Sequence, residues 1–373
     1  MPRTDVLVIG GGIVGQVAAI EIAANGAKVT VIDADRHSGS TANAGSLHVQ
    51  MQSRFMRLYP QHVPAMEASL PLYAAAVTEW ERLEALHGPF GLVRKGGLMV
   101  AESEDQLRFL EQKAKRERHM GLNVNILDRP ALDKIAPWLG NHVIGAELCA
   151  NEGKLDPLAA NLALKAAARS AGATFEIGEI QAIEAASSVI AHCEGRSWTA
   201  DHVVLASSWG TGRLLKPFGL SMPTEAEPLH MNITEPCTTQ IRHLIQHAER
   251  SITLKQLGSG QIVIGGGWPA DARGAQPPGV RATSLLGNVS LAARLAPALR
   301  DVRILRTWAG MNTTIDGAST VGPLPSAPRI VVAVPGDAGY TLGPLVARMA
   351  ASFVTGGEPP FDPKPFSPSR FAG

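Results

Sequence analysis

A glycine-rich turn set between two apolar runs constrains this chain more than any other stretch. Val6-Leu-Val-Ile9 leads into Gly10-Gly11-Gly12-Ile13-Val14-Gly15, the segment from Gln16 to Asn25 is rich in Ala and Ile, and Lys28-Val-Thr-Val-Ile-Asp33 follows. Strand, G-x-G-x-x-G, helix and second strand in that order predict a βαβ unit. Gly10 allows the tight turn, Gly12 lets a pyrophosphate approach the backbone, and Gly15 lets helix and strand pack closely. The helix start, at Ile13 and Val14, offers amides and a positive dipole end to phosphate. Asp33 closes the second strand where an acid accepts hydrogen bonds from an adenosine ribose, with Ala34 beside it. A carboxylate there suits a free 2′-hydroxyl and disfavours NADP; the motif alone leaves FAD and NAD open.

The rest of the chain limits the alternatives. With 373 residues it predicts two domains, and its net charge of +1 makes no electrostatic case for nucleic acid or an anionic membrane. No apolar run reaches the ~20 residues of a membrane span. A strand starting within four residues of Met1 leaves no room for a signal peptide, so a cytoplasmic location is expected. Cys149, Cys193 and Cys237 form no C-x-x-C pair, and no metal-ligand spacing, G-x-S-x-G or Cys/His nucleophile pair is present.

After Asp33 comes a long loop of small residues that includes Ser40, Thr41, Asn43, Ala44, Gly45, Ser46 and Leu47. Loops of this length persist in compact domains when they bind something, and here backbone amides and hydroxyls could reach a flat ring or a phosphate.

The glycine motif, Asp33 and the loop ending Asn43-Ala-Gly-Ser-Leu47 together resemble the FAD-binding start of the glycine oxidase and D-amino acid oxidase family. The continuation His48-Val-Gln-Met-Gln-Ser-Arg54-Phe is similar to the flavin-bearing β subunits of bacterial opine (octopine and nopaline) oxidases and of hydroxyproline or proline dehydrogenases. The resemblance implies an α/β fold: a Rossmann-like FAD-binding domain (residues 1–88, 145–222 and 305–373) and a second, mostly antiparallel substrate domain (89–144 and 223–304). It also matches later stretches. Gly153-Lys-Leu-Asp156-Pro157 is similar to the family's turn before a helix, with Asp156 as cap and Pro157 in the first turn. Ala206-Ser207-Ser208-Trp209 stands at the strand end near the flavin pyrophosphate, where the family has Ala-Ala-Gly. Trp308-Ala-Gly310 resembles the W-A-G strand, and Gly336-Asp-Ala-Gly339-Tyr340-Thr341 resembles the last Gly-rich turn, whose helix start meets the electron-rich edge of a reduced flavin. Two departures stand out: Asn312 occupies the position of the glycine oxidases' carboxylate-binding Arg, and the last turn lacks a His. No Cys lies near that turn, so noncovalent FAD is expected.

Further local signals place helices at 63–87 (Pro64 and Pro71 marking a start or a break), 103–119, 129–135 and 280–295, a hairpin over 92–100, and strands at 174–177, 180–185, 189–193, 227–234, 252–255 and 261–265.

The implied chemistry is oxidation of a C–N bond in a secondary or D-amino acid by hydride transfer to flavin, with no acid–base residue singled out. Arg54, then Arg57, is the expected carboxylate ligand, and His48, Gln50 and Asn312 are expected to line the pocket. The β-subunit resemblance implies an α partner carrying FAD and an iron–sulfur centre. A self-sufficient oxidase reducing O2 and a non-catalytic flavin-holding subunit are the alternatives.

Overall fold

The computed structural model describes residues 1–36, 39–274 and 276–372. Arg3–Ile9, Ile13–Ala24 and Val29–Asp33 form the expected βαβ unit. Its first strand lies between Val29–Asp33 and Arg196–Leu205, and the sheet order is Thr320–Leu324, Ala327–Val334, Arg196–Leu205, Arg3–Ile9, Val29–Asp33, Thr174–Ile177. Four of the five pairings along this order are parallel, and the Thr320–Leu324 edge is antiparallel. Val6 and Val8 enter the core formed with the first and last helices, whereas Leu7 and Ile9 enter the core on the opposite face. Burial of both faces explains why this strand reads as a continuous apolar run instead of alternating.

The second sheet runs Ile304–Thr314, Glu225–Pro236, Gln261–Gly265, Thr253–Gln256, Leu244–His247, Gly97–Ala101, Gly145–Cys149, Val124–Asp128. All its pairings are antiparallel except that between Leu244–His247 and Gly97–Ala101. Leu98, Val100, Ile245, Leu254 and Ile264 pack with the helix Ala282–Leu295. Alternation along these strands turns the intervening Met99, Gln246 and Lys255 to the other face.

Two stretches expected in the first domain run in this second sheet. Gly145–Cys149 pairs with Gly97–Ala101 and Val124–Asp128, and Ile304–Thr314 pairs with Glu225–Pro236 over nearly its whole length. Neither strand carries a local mark of its sheet, which pairing with strands elsewhere in the chain selects.

Local signals hold well where the motif is self-contained. The helix Val63–His87 has Pro64 in its first turn and continues through Pro71. Ser103, Asp128 and Asp156 each cap the following helix with a side-chain oxygen, and Pro157 opens Pro157–Ser170. The expected strand 180–185 is confined to Ala182–Ala185, and of the hairpin over 92–100 only Gly97–Ala101 is a strand, with Val93 bridging to Lys154. No described helix is long and apolar enough to cross a membrane.

Candidate active site

The segment 39–52 touches the first helix through Ser40 and the second sheet at Met311, Gly310 and Gln246, and the glycine turn supplies one wall of the site. Gly10 has φ 111°, and a Cβ on it would collide with the carbonyl of Ala206 at the end of the neighbouring strand. The close approach of backbone to backbone therefore survives the loss of the family's glycine after Ala206. Ser208 pays for this locally by adopting φ 54°, the left-handed conformation that a glycine takes without strain. Ser207 Oγ bonds Thr211 Oγ1 at 2.9 Å, and the carbonyl of Trp209 accepts from Thr224 Oγ1 at 2.8 Å, so both are engaged in shaping this turn.

A Cβ on Gly11 would run into the Asp33 carboxylate, and one on Gly12 would crowd Ser40 Oγ. Asp33 accepts from the Asp35 amide at 3.1 Å and forms no ion pair among the described residues, so its second oxygen is available to a ribose. Gly12 caps the first helix without a side-chain bond, and the Ile13 amide donates to Ser40 Oγ at 2.9 Å. Val14 is buried against the closing helix, where a Cβ on Gly343 would press on Ile13 and Val14. The loop is then fastened from several sides. Gly45 N donates to Asn43 Oδ1 at 2.7 Å, Trp308 Nε1 donates to Ala42 O at 2.8 Å, and Asn161 Nδ2 donates to Ser40 O at 3.0 Å. Gly310 must lack a Cβ because Ala42 lies against it, and Gly39 because Met311 O does. Ser46 and Leu47 form a two-residue ladder with Gly153–Lys154.

The closing helix Gly339–Thr355 starts without a side-chain cap just after Gly336, which has φ 79°. Thr341 Oγ1 accepts from the His48 amide at 3.0 Å, joining the two Gly-rich ends of the chain. Tyr340 turns its ring away, stacking on Trp80 at 5.1 Å between centroids, with its hydroxyl donating to Pro157 O at 3.3 Å. Its share in any cofactor contact is therefore the backbone of the helix start.

These features fit a dinucleotide flavin: a pyrophosphate against the Gly10–Gly15 turn, a ribose on Asp33, and a ring along the 43–48 loop and the 336–341 turn. The buried polar atoms Gln16 Oε1, Ser46 Oγ, His48 Nδ1 and Asn161 Oδ1 have no hydrogen-bond partner among the described residues, and all four belong to these walls. Among the described residues, no group of three His, Cys, Asp or Glu side chains could hold a metal ion.

The most densely bonded part of the site goes unmarked in the sequence. Glu152 is fully buried, and its two oxygens take four donors: Val49 N at 2.9 Å, Gln50 N at 3.2 Å, Gln50 Nε2 at 2.9 Å and Gln246 Nε2 at 2.9 Å. Burial outweighs these donors and pushes its carboxyl up to about 7. Gly97 is glycine because a Cβ there would occupy the space of this carboxylate. Glu152 thus ties the segment after the flavin loop to the second sheet. Gln50, expected to line the pocket, is buried in this network, with its Oε1 near Lys113 Nζ at 3.4 Å. Behind it, Lys113 pairs with Glu117 at 2.8 Å and Glu147 at 2.9 Å, and Glu117 also takes the Met51 amide at 2.6 Å. Lys255, also fully buried, donates to Leu155 O at 2.6 Å immediately behind Gly45. Burial first, and the charge of Lys154 second, hold its ammonium well below the usual lysine value. Asn151-Glu152-Gly153 borders a recognisable turn, but nothing in the spacing marks Glu152 as a partner of Gln50.

His48 has a side chain 26% exposed, and its Nδ1 stands 3.9 Å from Glu152 Oε1. Burial and then the charge of Lys255 push it down to about 4, so it is neutral. Asn312 shares a strand face with Trp308 and Gly310 and donates to Glu227 Oε2 at 3.3 Å. Arg54 and Arg57 lie on the short helix Ser53–Leu58, both exposed. Arg57 is engaged with Glu249 at 3.3 Å and lies over the Phe109 ring at 3.9 Å, whereas Arg54 has no carboxylate partner among the described residues and lines a cavity that none of the glycine-loop residues reach.

A model of the DAO family, FAD dependent oxidoreductase, matches residues 5–353. The chain is 28% identical over 385 residues to the opine oxidase B subunit of Agrobacterium tumefaciens (strain Ach5), covering 100% of this chain and 98% of that protein. It is 28% identical over 327 residues to the protein of the same name from Rhizobium meliloti, covering 85% and 84%. The glycine oxidase of Geobacillus kaustophilus is 26% identical over 379 residues, covering 100% and 98%. A crystal structure of glycine oxidase from that organism shares the fold with a TM-score of 0.86 at 24% identity over 100% of both chains. That of L-proline dehydrogenase from P. horikoshii does so with a TM-score of 0.82 at 22% identity, covering 100% and 98%.

Proposed function

The chain belongs to the DAO family of FAD-dependent oxidoreductases, and from that premise we propose that it oxidises the C–N bond of a secondary amino acid as the catalytic β subunit of a heteromeric dehydrogenase. FAD is its cofactor, and when bound it supplies the two-electron acceptor for a hydride. The observation that carries this assignment is the likeness to the opine oxidase B subunit along the full length of this chain. The proposed partner is an α subunit with FAD and an iron–sulfur centre that takes the electrons onward.

This chain's own residues would do three things. The glycine turn, Asp33 and the 43–48 loop hold FAD noncovalently, since Cys149 is buried and the closing turn has no thiol. Neutral His48, with Nδ1 buried 3.9 Å from Glu152 Oε1 and the side chain 26% exposed, offers its other ring nitrogen to a substrate at the flavin loop without adding charge. Arg54 supplies the cation for the carboxylate beside the amine, because a guanidinium without a carboxylate partner among the described residues keeps its full bidentate capacity.

The test is to copurify the native complex and to screen opines, hydroxyproline, proline and sarcosine for anaerobic flavin bleaching. Bleaching with reduction only of an artificial acceptor supports the dehydrogenase. The likeness to glycine oxidase over the same length supports a second reading, an oxidase using O2, for which the isolated chain would release peroxide. No bleaching with any amine would leave a flavin-holding subunit without turnover.

A further inference from the structure

Hydride loss from an amino acid carries a proton requirement. In water the substrate nitrogen is an ammonium, and the neighbouring C–H bond releases hydride only when the nitrogen lone pair is free to form the C=N bond. The ammonium proton therefore needs a base beside the flavin loop.

His48 stands where such a base is needed. Its amide donates to Thr341 Oγ1 at 3.0 Å, which pins it between the 43–48 loop and the start of the closing helix. Its Nδ1 is buried and lies 3.9 Å from Glu152 Oε1, whereas Nε2 is accessible and forms no hydrogen bond among the described residues. The ring thus has an inner nitrogen at a carboxylate and an outer one open to a ligand. Other titratable groups of these walls are committed elsewhere. Lys255 is fully buried behind Gly45 and donates to Leu155 O, and the Tyr340 hydroxyl donates to Pro157 O.

The charges around the pair fix what it can do. Lys255 is the cation that opposes a positive charge on the His48 ring, and Lys154, which donates to Ile241 O, faces Lys255 from behind. Behind Glu152, Lys113 pairs with Glu117, while Glu147 is pushed up to about 9, chiefly by burial, and keeps its proton. Gln50 and Gln246 are neutral, and burial raises the Cys149 thiol so that it stays protonated. Among the described residues, Glu152 is therefore the group that can offset an imidazolium at His48. Its carboxyl, pushed up to about 7 by burial, is still protonated at pH 4, where the ring titrates, and gives no help there. Once ionised, it faces Nδ1 at a separation where opposite charges attract strongly in a buried setting.

We propose that His48 Nε2 accepts the proton of the substrate ammonium, with Glu152 as the positioning residue whose ionised carboxylate, behind Nδ1, stabilises the imidazolium. The proposal rests on the amine oxidation reading above and deepens it. The N–H bond breaks with its electron pair left on nitrogen, and the proton passes to Nε2 and then to solvent at the exposed edge of the ring. The C–H pair leaves as hydride to the flavin while the nitrogen pair closes the C=N bond, so the product is an iminium.

Anaerobic flavin reduction in the FAD-loaded native complex tests this from about pH 5.5 to about pH 10, using the amine among octopine, hydroxyproline, proline and sarcosine that bleaches the parent fastest. The parent rate should climb through a midpoint at about pH 7 as Glu152 ionises. His48→Asn should lower the rate at least 100-fold at about pH 7.5, and the deficit should shrink at least tenfold at about pH 10, where much more of the substrate is already a free amine. A residue that only shapes the pocket would show one deficit at both. Glu152→Gln should retain flavin absorbance, lose the limb at about pH 7 and reduce flavin at least tenfold more slowly at about pH 7.5. In pH-difference infrared spectra, a buried carboxylic C=O band should vanish through about pH 7 in the parent and be missing from Glu152→Gln. His48→Asn decides the base by itself if Glu152→Gln does not fold. A His48→Asn deficit under about tenfold, or one equal at both pH values, would overturn the base, and a limb that survives in Glu152→Gln would overturn the positioning role. Either result leaves amine oxidation standing, whereas a parent complex that no amine bleaches removes both readings.

Discussion

Replacing Glu152 tests whether a buried carboxylate holds the segment after the flavin loop. Its Oε1 takes the Val49 and Gln50 amides, and its Oε2 takes the side-chain amides of Gln50 and Gln246. In Glu152→Ala the glutamines can seek other partners, but the two backbone amides cannot. Each buried donor left unsatisfied costs about 1–3 kcal/mol, so the expected destabilisation is about 2–6 kcal/mol before any cavity cost. Glu152→Gln keeps the shape and one acceptor oxygen, but its NH2 would face two side-chain donors. Rotating the Gln50 amide to compensate would present NH2 to Lys113, and rotating that of Gln246 would break its bond from Gln52. A cost of about 1–3 kcal/mol is expected.

The same group predicts a pH signature. Its carboxyl is raised from 4.5 to about 7, so the folded state holds the proton more tightly than the unfolded chain. Stability from this group is complete below pH 4.5 and declines by about 3 kcal/mol as the pH rises to 7. Urea denaturation of the FAD-free and FAD-loaded protein between pH 4.5 and 8 reads both effects. A loss under about 1 kcal/mol in Glu152→Ala, with a pH profile parallel to that of the parent, would refute the carboxylate's role in holding Val49 and Gln50.

Other expectations follow from single sites. His247 is pushed down to about 4, first by burial, while its Nδ1 accepts from the Glu249 and Arg250 amides at 2.9 and 3.0 Å; stability from this group is full above pH 6.5 and falls as the pH drops towards 4, and His247→Asn should lack that loss in the same denaturation series. Asp33→Arg removes the ribose acceptor and should weaken FAD by several kcal/mol, at about 1.5–3 for each charged hydrogen bond; full flavin occupancy after gel filtration would show that Asp33 is not the ligand. Gly10→Ala, at φ 111° and against Ala206 O, should abolish flavin retention, as measured by the visible absorbance of the purified protein. Arg54→Met keeps the apolar stem, and should retain flavin while lowering kcat/KM about 100-fold, or about 2.7 kcal/mol; a loss below about tenfold in steady-state assays would remove Arg54 as the carboxylate ligand and turn attention to Arg57 or Arg306.

Features that short-range chemistry dictates are readable from residue order. Gly10, Gly12, Gly15 and Asp33 lie within one βαβ unit, and the caps Asp128 and Asp156 act on amides two or three residues away, so spacing alone identifies them. The loop 43–48 is legible for the same reason, as a run of small residues next to the ribose acid. Packing in three dimensions settles the remainder. Gly145–Cys149 and Ile304–Thr314 carry no local mark of their sheet, because pairing energy comes from strands distant in the chain. Glu152 meets Val49 across 103 positions and Gln246 across 94, and Lys255 reaches Leu155 across 100. A buried charge has no periodicity to announce it: its partners are chosen where two sheets close on one loop, and only there does its desolvation become worth satisfying.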